Sequence, residues 1–433
     1  MDSNHVLIGN DRLPFDILSY LFQLYLDQET ILYPLETLLL VCKAWNEAAV
    51  TFRSLWGSYK IVTDEGDDED LKKFWLRRLP VRLRRSGLNT PLHIDFETKP
   101  NYRYPAYRSP TTDIGTNIGR LFDILAGEKG HLCARWKSLR IVIGATFGQA
   151  NIHSPHRFVF LANPMPSLVS LHLVGLQVRS HATFFRDLPS IESIAIHECQ
   201  LPNLPDMSHA RRILLDEIQV CREGVKDRFI NAPNVQDLCL SDNQGRTYRL
   251  PQKFAALRTL SLLSWPQIQG IESILTPCLE TLIIDFLLTS LVEAAILLPA
   301  LSRVRTLYLV GNKYSPQFGR NNTTPIFKLL RACRNVQTLI INDFVLSLIL
   351  AAWQGWSHLF EGQEAGSITL FFHRERHNLD VKLSLEDEET YRVLEEAATR
   401  HGITLPEEFY IRECLVKARR LSPGLSQGLS ASP

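Results

Sequence analysis

"VQTLII", residues 336–341, follows the pattern apolar-x-x-apolar-x-apolar. The same pattern occurs at WKSLRI (136–141), LVSLHL (168–173), IESIAI (191–196), ARRILL (210–215), VQDLCL (235–240), LRTLSL (257–262), LETLII (279–284) and VRTLYL (304–309). Successive starts differ by 32, 23, 19, 25, 22, 22, 25 and 32 residues. This period predicts a repeat protein in which every unit supplies one short strand. PLHIDF (91–96) and SITLFF (367–372) are expected to be further, degenerate units.

The physical reason for the pattern is the two-residue period of a strand. Leu339 and Ile341 are two residues apart, so their side chains point to the same face. One short strand cannot bury that face, but many parallel strands stacked together form a continuous core. The chain must return between strands by a helix or an irregular turn. The expected architecture is therefore an α/β or α+β solenoid with a parallel sheet.

Three repeats carry an Asn or Cys three residues after the last apolar strand position: Cys199, Asn243 and Asn312. A buried Asn there can hydrogen-bond the backbone of the turn, and a Cys fills the same space. Other repeats have larger apolar residues at this position. The region thus resembles a leucine-rich repeat in an irregular form, and the resemblance implies a curved horseshoe.

The residues between the apolar strand positions would face outward from such a sheet. The candidate substrate-binding residues among them are His172, His197, Asp216, Asp285, Tyr308 and Asn342. The outward set contains neither a basic stripe nor an aromatic stacking platform, so we do not expect nucleic acid as a partner. A column of threonines (Thr259, Thr281, Thr306 and Thr338) is interpreted as a ladder favoured by β-propensity.

The N-terminal segment 11–60 has a different, helical period. PLETLLLVCKAWNEAAV (34–50) is predicted as one helix with two apolar stripes, although an ordinary surface helix needs one. We expect Leu38 and Phe52 to lie in the core of a small three-helix bundle. A bundle of about 50 residues has a small core, so the second stripe predicts a partner chain.

A strongly charged stretch follows the bundle. DEGDDED (64–70) holds six acids in seven residues, and basic residues are frequent from Lys72 to Arg85. We favour a helix with Leu71 and Leu79 on its apolar side, because acids suit the start of a helix and bases its end. A nuclear-localisation signal or a nucleic-acid patch is the alternative.

The bulk properties narrow the class of protein. The chain has 433 residues, 45% hydrophobic and 21% charged, with a formal net charge of +1. It shows no signal-peptide pattern and no apolar run long enough for a membrane span, so we expect a cytoplasmic or nuclear location. Its eight cysteines are scattered and are expected to be reduced.

The expected organisation is a tail (1–10), the bundle (11–60), an acidic linker (61–70), the repeats (71–410) and a disordered tail (411–433).

No catalytic or metal-binding motif is present. The sequence lacks the common phosphate-binding, nucleophile-elbow and zincin motifs. His373 and His377 are four residues apart but lie among arginines and lack a third ligand, so a loop is favoured over a metal site. Cys42 has no activating neighbour in sequence. We expect no enzyme activity, no cofactor and no bound metal.

Residues 12–56 resemble an F-box, in the F-box-like form common in large fungal families. Leu13-Pro14, Ile17, Leu18, Leu21 and Phe22 match the first helix of that form, LLLVCKAWNEAA matches its second half, and FRSLW (52–56) matches its tail. The segment LRRSGLNTPLHIDF (83–96) is similar to the stretch that opens the repeats in those families. Phe15 departs from the pattern, since a second proline is common there.

The resemblance implies the substrate receptor of a cullin–RING (SCF-type) ubiquitin ligase. The F-box would bind a Skp-type adaptor and, through it, a cullin, while the repeats would hold a protein substrate for ubiquitin transfer and proteasomal degradation. Carried over by position, the adaptor-facing residues would be Leu13, Pro14, Ile17, Leu18, Leu21, Leu39, Val41, Cys42 and Trp45. The alternative is a non-catalytic scaffold in which the F-box-like bundle only caps the open end of the solenoid.

Overall fold

The computed structural model describes two compact units, one formed by Met1–Asp206 with Gln219–Arg222 (unit 1) and one by Met207–Ile218 with Glu223–Pro433 (unit 2). The residues it describes are 13–26, 34–64, 74–99, 112–144, 158–178, 184–185, 188–220, 228–242, 247–264, 266–269, 271–285, 292, 295–296, 298–310, 329, 332–333, 335–342 and 369–373. The division falls within the segment 71–410, which the sequence predicts as the repeat region.

The regular elements are as follows. The α-helices are α1 (Phe15–Leu26), α2 (Pro34–Leu38), α3 (Lys43–Thr51), α4 (Leu76–Ser86) and α5 (Thr112–Ala126). The strands are β1 (Ser58–Asp64), β2 (Leu92–Lys99), β3 (Trp136–Val142), β4 (Ser170–Val174), β5 (Ser193–His197), β6 (Gln200–Leu201), β7 (Arg212–Asp216), β8 (Gln219–Val220), β9 (Arg228–Phe229), β10 (Asp237–Asp242), β11 (Thr247–Arg249), β12 (Thr259–Ser264), β13 (Gln267–Gln269), β14 (Thr281–Asp285), β15 (Thr306–Val310), β16 (Thr338–Asn342) and β17 (Thr369–His373).

Short 3-10 helices complete these elements. They are Arg53–Gly57, Glu128–Arg135, Val159–Ala162, Ile271–Ser273 and Leu301–Arg303. Four of them, Glu128–Arg135, Val159–Ala162, Ile271–Ser273 and Leu301–Arg303, lie between neighbouring strands of one unit. The chain therefore returns between strands partly by helical turns, as the repeat pattern had predicted.

The N-terminal bundle of unit 1 contains α1, α2, α3 and the 3-10 helix Arg53–Gly57. The segment 34–50 is not one helix, because the chain turns between α2 and α3. The amide of Asn46 donates to the carbonyl of Leu39 at 3.0 Å, and Cys42 adopts the extended conformation of an N-cap. The prediction of a single continuous helix was therefore wrong.

The bundle core is small and apolar. Its buried members are Leu18, Phe22, Leu35, Leu38, Ala48, Ala49, Leu55 and Trp56. Phe52 packs against this cluster and meets Phe15 edge-on with ring centroids 6.1 Å apart. The prediction that Leu38 and Phe52 support the bundle core is confirmed.

The sheet of unit 1 is parallel and follows chain order from β1 to β5. β1 begins at Ser58 and pairs with β2, so the first sheet strand lies partly in the segment assigned to the bundle and partly in the assigned acidic linker. The remaining linker residues, 65–70, are outside the described part of the chain, as are Leu71–Lys73. Leu79 of α4 is buried, as predicted.

The sheet of unit 2 is also parallel, with the order β7, β10, β12, β14, β15, β16 and β17. Many described strands of both units alternate between buried and half-buried residues, as in β4, where Leu171 and Leu173 are buried and His172 is half-buried. Burying one leucine contributes about 1.5–3 kcal/mol, so the alternation supplies a core. The predicted parallel strands with interspersed helical turns are confirmed.

The repeats are also joined through their turns. Buried Cys199 fills the space predicted for a Cys at this position, and its thiol also donates to the carbonyl of His197 in the same turn at 3.0 Å. Asn243 and Asn312 lie outside the described residues. Before the strands, the amide of Asn234 donates to the carbonyl of Ser208 in the preceding turn. Such bonds hold successive repeats in register.

Candidate partner-binding surfaces

One face of α1 is apolar and exposed. Leu13, just before the helix, and Ile17, Leu21 and Leu24 recur at steps of four and three, with exposed fractions of 37%, 43%, 39% and 47%. We call these four residues the α1 stripe. The spacing places them on one side of the helix. A continuous exposed apolar row of this kind is typical of a surface that binds another chain.

The turn between α2 and α3 exposes two more apolar side chains. Leu40 is 86% exposed and Val41 is 48% exposed. Their backbone amides donate to the carbonyls of Thr37 and Leu38, so the turn itself is ordered. Leu40 was not among the predicted site residues. Leu40 lies in a turn, where side chains do not follow a helical period, so the apolar pattern of a helix could not predict its exposure.

The nine predicted adaptor-facing residues divide into three groups. Leu13, Pro14, Ile17, Leu21 and Val41 are exposed, and Leu39, Cys42 and Trp45 are half-buried. Leu18 is only 2% exposed and lies in the bundle core, so its assignment to the adaptor surface was wrong. The reason is helical phase, since Leu18 and Phe22 are four residues apart and pack inward together.

Trp45 and Cys42 connect the core with the surface. The Trp45 ring meets Phe22 edge-on with centroids 5.1 Å apart, and its buried indole nitrogen has no hydrogen-bond partner among the described residues. The Cys42 sulfur accepts from the Trp45 backbone amide at 3.5 Å and so caps α3. Both residues therefore support the structure of the bundle through the buried parts of their side chains.

Side chains of α4 contact the bundle and connect it with the rest of unit 1. Arg82 donates two hydrogen bonds to Glu36 of α2, at 3.0 and 2.8 Å, and its side chain is 8% exposed. Burial by itself would raise the pKa of Glu36, but the hydrogen bonds and charges of Arg82 and Arg78 outweigh it and lower the pKa. Arg85 lies 4.5 Å over the Trp56 ring. These contacts favour the structural interpretation of the basic stretch.

The outward face of the unit 1 sheet, called here the unit 1 face, carries paired charges. Arg140 of β3 contacts Asp95 at 2.5 Å and Glu97 at 3.0 Å, both on the neighbouring strand β2. These three residues were not among the predicted site residues. The signal was available, because each stands at an outward position of its strand.

His172 and His197 lie close together on the same face. Their ring centroids are 5.6 Å apart on neighbouring strands, so the structure unites two of the predicted substrate-binding residues. Burial, and then the nearby His197 and Arg140, lower the pKa of His172. The neutral imidazole is therefore favoured there.

The outward face of the unit 2 sheet, called here the unit 2 face, is richer in hydroxyl and apolar groups. Half-buried Thr259, Thr281, Thr306 and Thr338 pair in register, as the ladder interpretation predicted. Half-buried Tyr308 stands opposite Ile283, and half-buried Asp216 ends β7. Asp285 ends β14 and Asn342 ends β16, and their side chains are outside the described part. Of the six predicted residues, His172 and His197 are therefore the pair whose side chains the structure shows close together.

The thiols of the described chain are largely protected. Burial raises the pKa of Cys133, Cys199 and Cys333 to about 12, despite nearby hydrogen bonds in the first two. Burial, then the charge of Asp216, raises the pKa of Cys239 to about 11. These groups are thiols and not thiolates at neutral pH, which makes them poor nucleophiles.

No protein-family model matches the chain, and no curated protein matches it significantly. Among the described residues, no three or more His, Cys, Asp or Glu side chains are grouped so that they could hold a metal ion. His373 ends β17, and His377 is outside the described part. No described helix is both long and apolar enough to cross a membrane.

Proposed function

We propose that this chain is the substrate-recognition subunit of an SCF-type ubiquitin ligase. In this proposal, the N-terminal bundle is F-box-like and binds a Skp-type adaptor, and the sheets belong to an irregular leucine-rich-repeat horseshoe that binds a protein substrate. The main support for this proposal is the exposed α1 stripe, which lies in the segment where the sequence resembles the adaptor-binding helix of an F-box.

The energetics of the stripe support a docked partner. Complete burial of a fully exposed leucine or isoleucine contributes about 1.5–3 kcal/mol, and the stripe residues, which are 37–47% exposed, would each contribute somewhat less than half of that before association costs are subtracted. Four such residues, with Leu40 and Val41 on the turn, can therefore supply the apolar centre of an interface. A small bundle gains nothing in its own stability from this exposure, since its core is already filled by other side chains.

The scaffold alternative has its own support. The Glu36–Arg82 pair, the Arg85–Trp56 contact and the close approach of Gly57 to Pro91 join the bundle to the start of the unit 1 repeats. A Cβ added at Gly57 would lie 2.4 Å from the Pro91 carbonyl oxygen, so only glycine fits. These are contacts that a capping unit needs. They do not use the α1 stripe, which is where the two functions differ.

Co-purification of the adaptor tests the proposal. Wild-type protein should recover a Skp-type adaptor and cullin, and Ile17→Asp/Leu21→Asp should lose both, because it places charges in the stripe. Leu13→Ala/Pro14→Ala should weaken recovery. Leu88→Asp is a matched control, since Leu88 is 82% exposed outside the bundle.

Folding must be monitored in parallel by thermal unfolding. The stripe residues are exposed, so their variants should melt within a few degrees of wild type. Failure of the correctly folded wild-type protein to recover any adaptor would reject the ligase function and leave the scaffold function. Mass spectrometry of the wild-type and Ile17→Asp/Leu21→Asp purifications should then separate the substrates, which remain, from the adaptor and cullin, which disappear.

A further inference from the structure

A row of residues immediately before the unit 2 strands is held together by backbone hydrogen bonds. The amide of Gln236 donates to the carbonyl of Arg211 at 2.7 Å, Arg258 to Gln236 at 2.8 Å, Glu280 to Arg258 at 2.9 Å and Arg305 to Glu280 at 2.8 Å. We call these five residues the edge row. Each comes from the next strand of the sheet, so the row runs across β7, β10, β12, β14 and β15.

The edge row carries three cations that have no partner among the described residues. Arg211, Arg258 and Arg305 are all exposed, and none of them forms an ion pair or a side-chain hydrogen bond with another described residue. Glu280 is exposed as well and stands between Arg258 and Arg305. The row therefore presents, in order, a cation, an amide, a cation, a carboxylate and a cation.

The spacing of the cations follows from sheet geometry. Neighbouring strands are about 4.8 Å apart, so Arg211, Arg258 and Arg305, each two strands from the next, recur at about 9.6 Å. An extended peptide rises about 3.3 Å per residue. The three arginines thus match side chains that are about three residues apart in an extended segment.

We infer that the edge row binds an extended acidic peptide segment of the form acid-x-x-acid-x-x-acid lying across the strands. The residues of the peptide between its second and third acids face Glu280, so an acid there is disfavoured and a lysine or arginine is favoured. This inference concerns unit 2 and does not depend on adaptor binding. Under the proposed ligase function, the segment would belong to the substrate.

The carboxylate favours a peptide over a nucleic acid. A nucleic-acid backbone carries a phosphate at every nucleotide and would place one against Glu280, where like charges repel. The five residues of the edge row also include no aromatic side chain on which a base could stack. A peptide can put a neutral or basic residue opposite the carboxylate, so it can match the whole row.

Fluorescence anisotropy with the full chain and labelled synthetic peptides tests this inference. The first peptide has three glutamates spaced by three residues in a Ser/Gly/Gln background, and the second has the same composition with the glutamates adjacent. We expect the spaced peptide to bind about tenfold more tightly at low salt. Arg211→Gln/Arg258→Gln/Arg305→Gln should lose that preference and weaken binding at least tenfold.

The control variant Arg77→Gln/Arg84→Gln/Arg120→Gln removes the same number of exposed arginines from unit 1 and should bind as wild type does. Glu280→Gln should tighten binding of a peptide that carries an extra acid between its second and third glutamates, which is an effect of opposite sign that misfolding cannot imitate.

Equal affinity for the spaced and adjacent peptides would overturn the inference, as would equal losses in the edge-row and control variants. A single-stranded oligonucleotide that competes more strongly than the spaced peptide would instead assign the row to nucleic acid. Adaptor co-purification should be unchanged in the edge-row variant, so failure of this inference is distinct from failure of the proposed function.

Discussion

The unit 1 face and the edge row of unit 2 differ in how their charges are satisfied. On the unit 1 face, Arg140 is neutralised by Asp95 and Glu97 of the next strand, and His172 is held in the neutral form beside His197. In unit 2, the arginines of the edge row have no described partner. Both units have the same buried alternation behind these surfaces. In both units the strand register determines where the side chains stand, whereas the pairing of charges differs between these two surfaces.

The largest expected effect tests whether the two cores are equivalent. Leu173→Ala in unit 1 and Leu262→Ala in unit 2 each remove a fully buried side chain, and each should lower the free energy of unfolding by about 2–5 kcal/mol. Urea unfolding followed by circular dichroism measures both. A loss below about 1 kcal/mol in one unit alone would break the equivalence of their cores.

A smaller effect is expected at the buried ion pair of unit 1. Glu36→Gln leaves the guanidinium of Arg82 buried without its counter-charge and should destabilise the protein by about 2–4 kcal/mol. The folded pKa of Glu36 is lowered. The pair therefore stabilises fully above the ordinary glutamate pKa of about 4.3 and is lost as the pH falls through the folded value.

Unfolding measured at pH 7 and near pH 3 checks the sign of this contribution. The wild-type protein should lose more stability than Glu36→Gln between the two pH values. Parallel curves for the two proteins would show that the pair contributes no pH dependence. Glu47→Gln, an exposed change in the same bundle, is the matched control.

The contrast between paired and unpaired arginines can be tested directly. Arg140→Met leaves Asp95 and Glu97 without their shared cation and should cost about 0.5–1 kcal/mol at low salt, because all three groups are partly exposed. Arg258→Met removes an arginine without a described partner and should change stability by less than about 0.5 kcal/mol. Equal losses in the two variants would contradict the contrast.

The smallest effect concerns the histidine pair. The folded pKa of His172 lies below its ordinary value, so the unfolded chain takes up a proton first as the pH falls. Stability should therefore decrease below about pH 6.5 until the folded group also protonates. His172→Gln should flatten this part of the curve. NMR titration of the imidazole signals measures the pKa directly, and a value above 6.5 would reverse the predicted sign.

The strands could be predicted from the sequence because the same apolar pattern recurs in each one and involves only a few neighbouring residues. Each strand displays the same two-residue alternation, and β2 and β17 were found even in the degenerate units PLHIDF and SITLFF. The arginines of the edge row occupy the first variable position of the repeat pattern. The pattern had located them, but only the backbone ladder showed that they form one row.

The helix boundaries and buried residues of the bundle were harder to predict from the sequence, for two physical reasons. The break between α2 and α3 depends on a bond from Asn46 to Leu39, which a helical period does not reveal. Leu18 and Ile17 are adjacent in sequence and equally apolar, yet one is buried and the other exposed. That choice depends on which side of α1 the other helices cover.

The sequence by itself determined the parallel repeats, the inward leucines and the presence of a helical N-terminal segment, because periodicity and burial act over a few residues. Only the tertiary structure decided which apolar residues of the bundle stay exposed and which charges are paired. Glu36 and Arg82 are 46 residues apart, and Asp95 and Arg140 are 45 apart. Pairing over such separations is decided by packing, since no local pattern connects the partners.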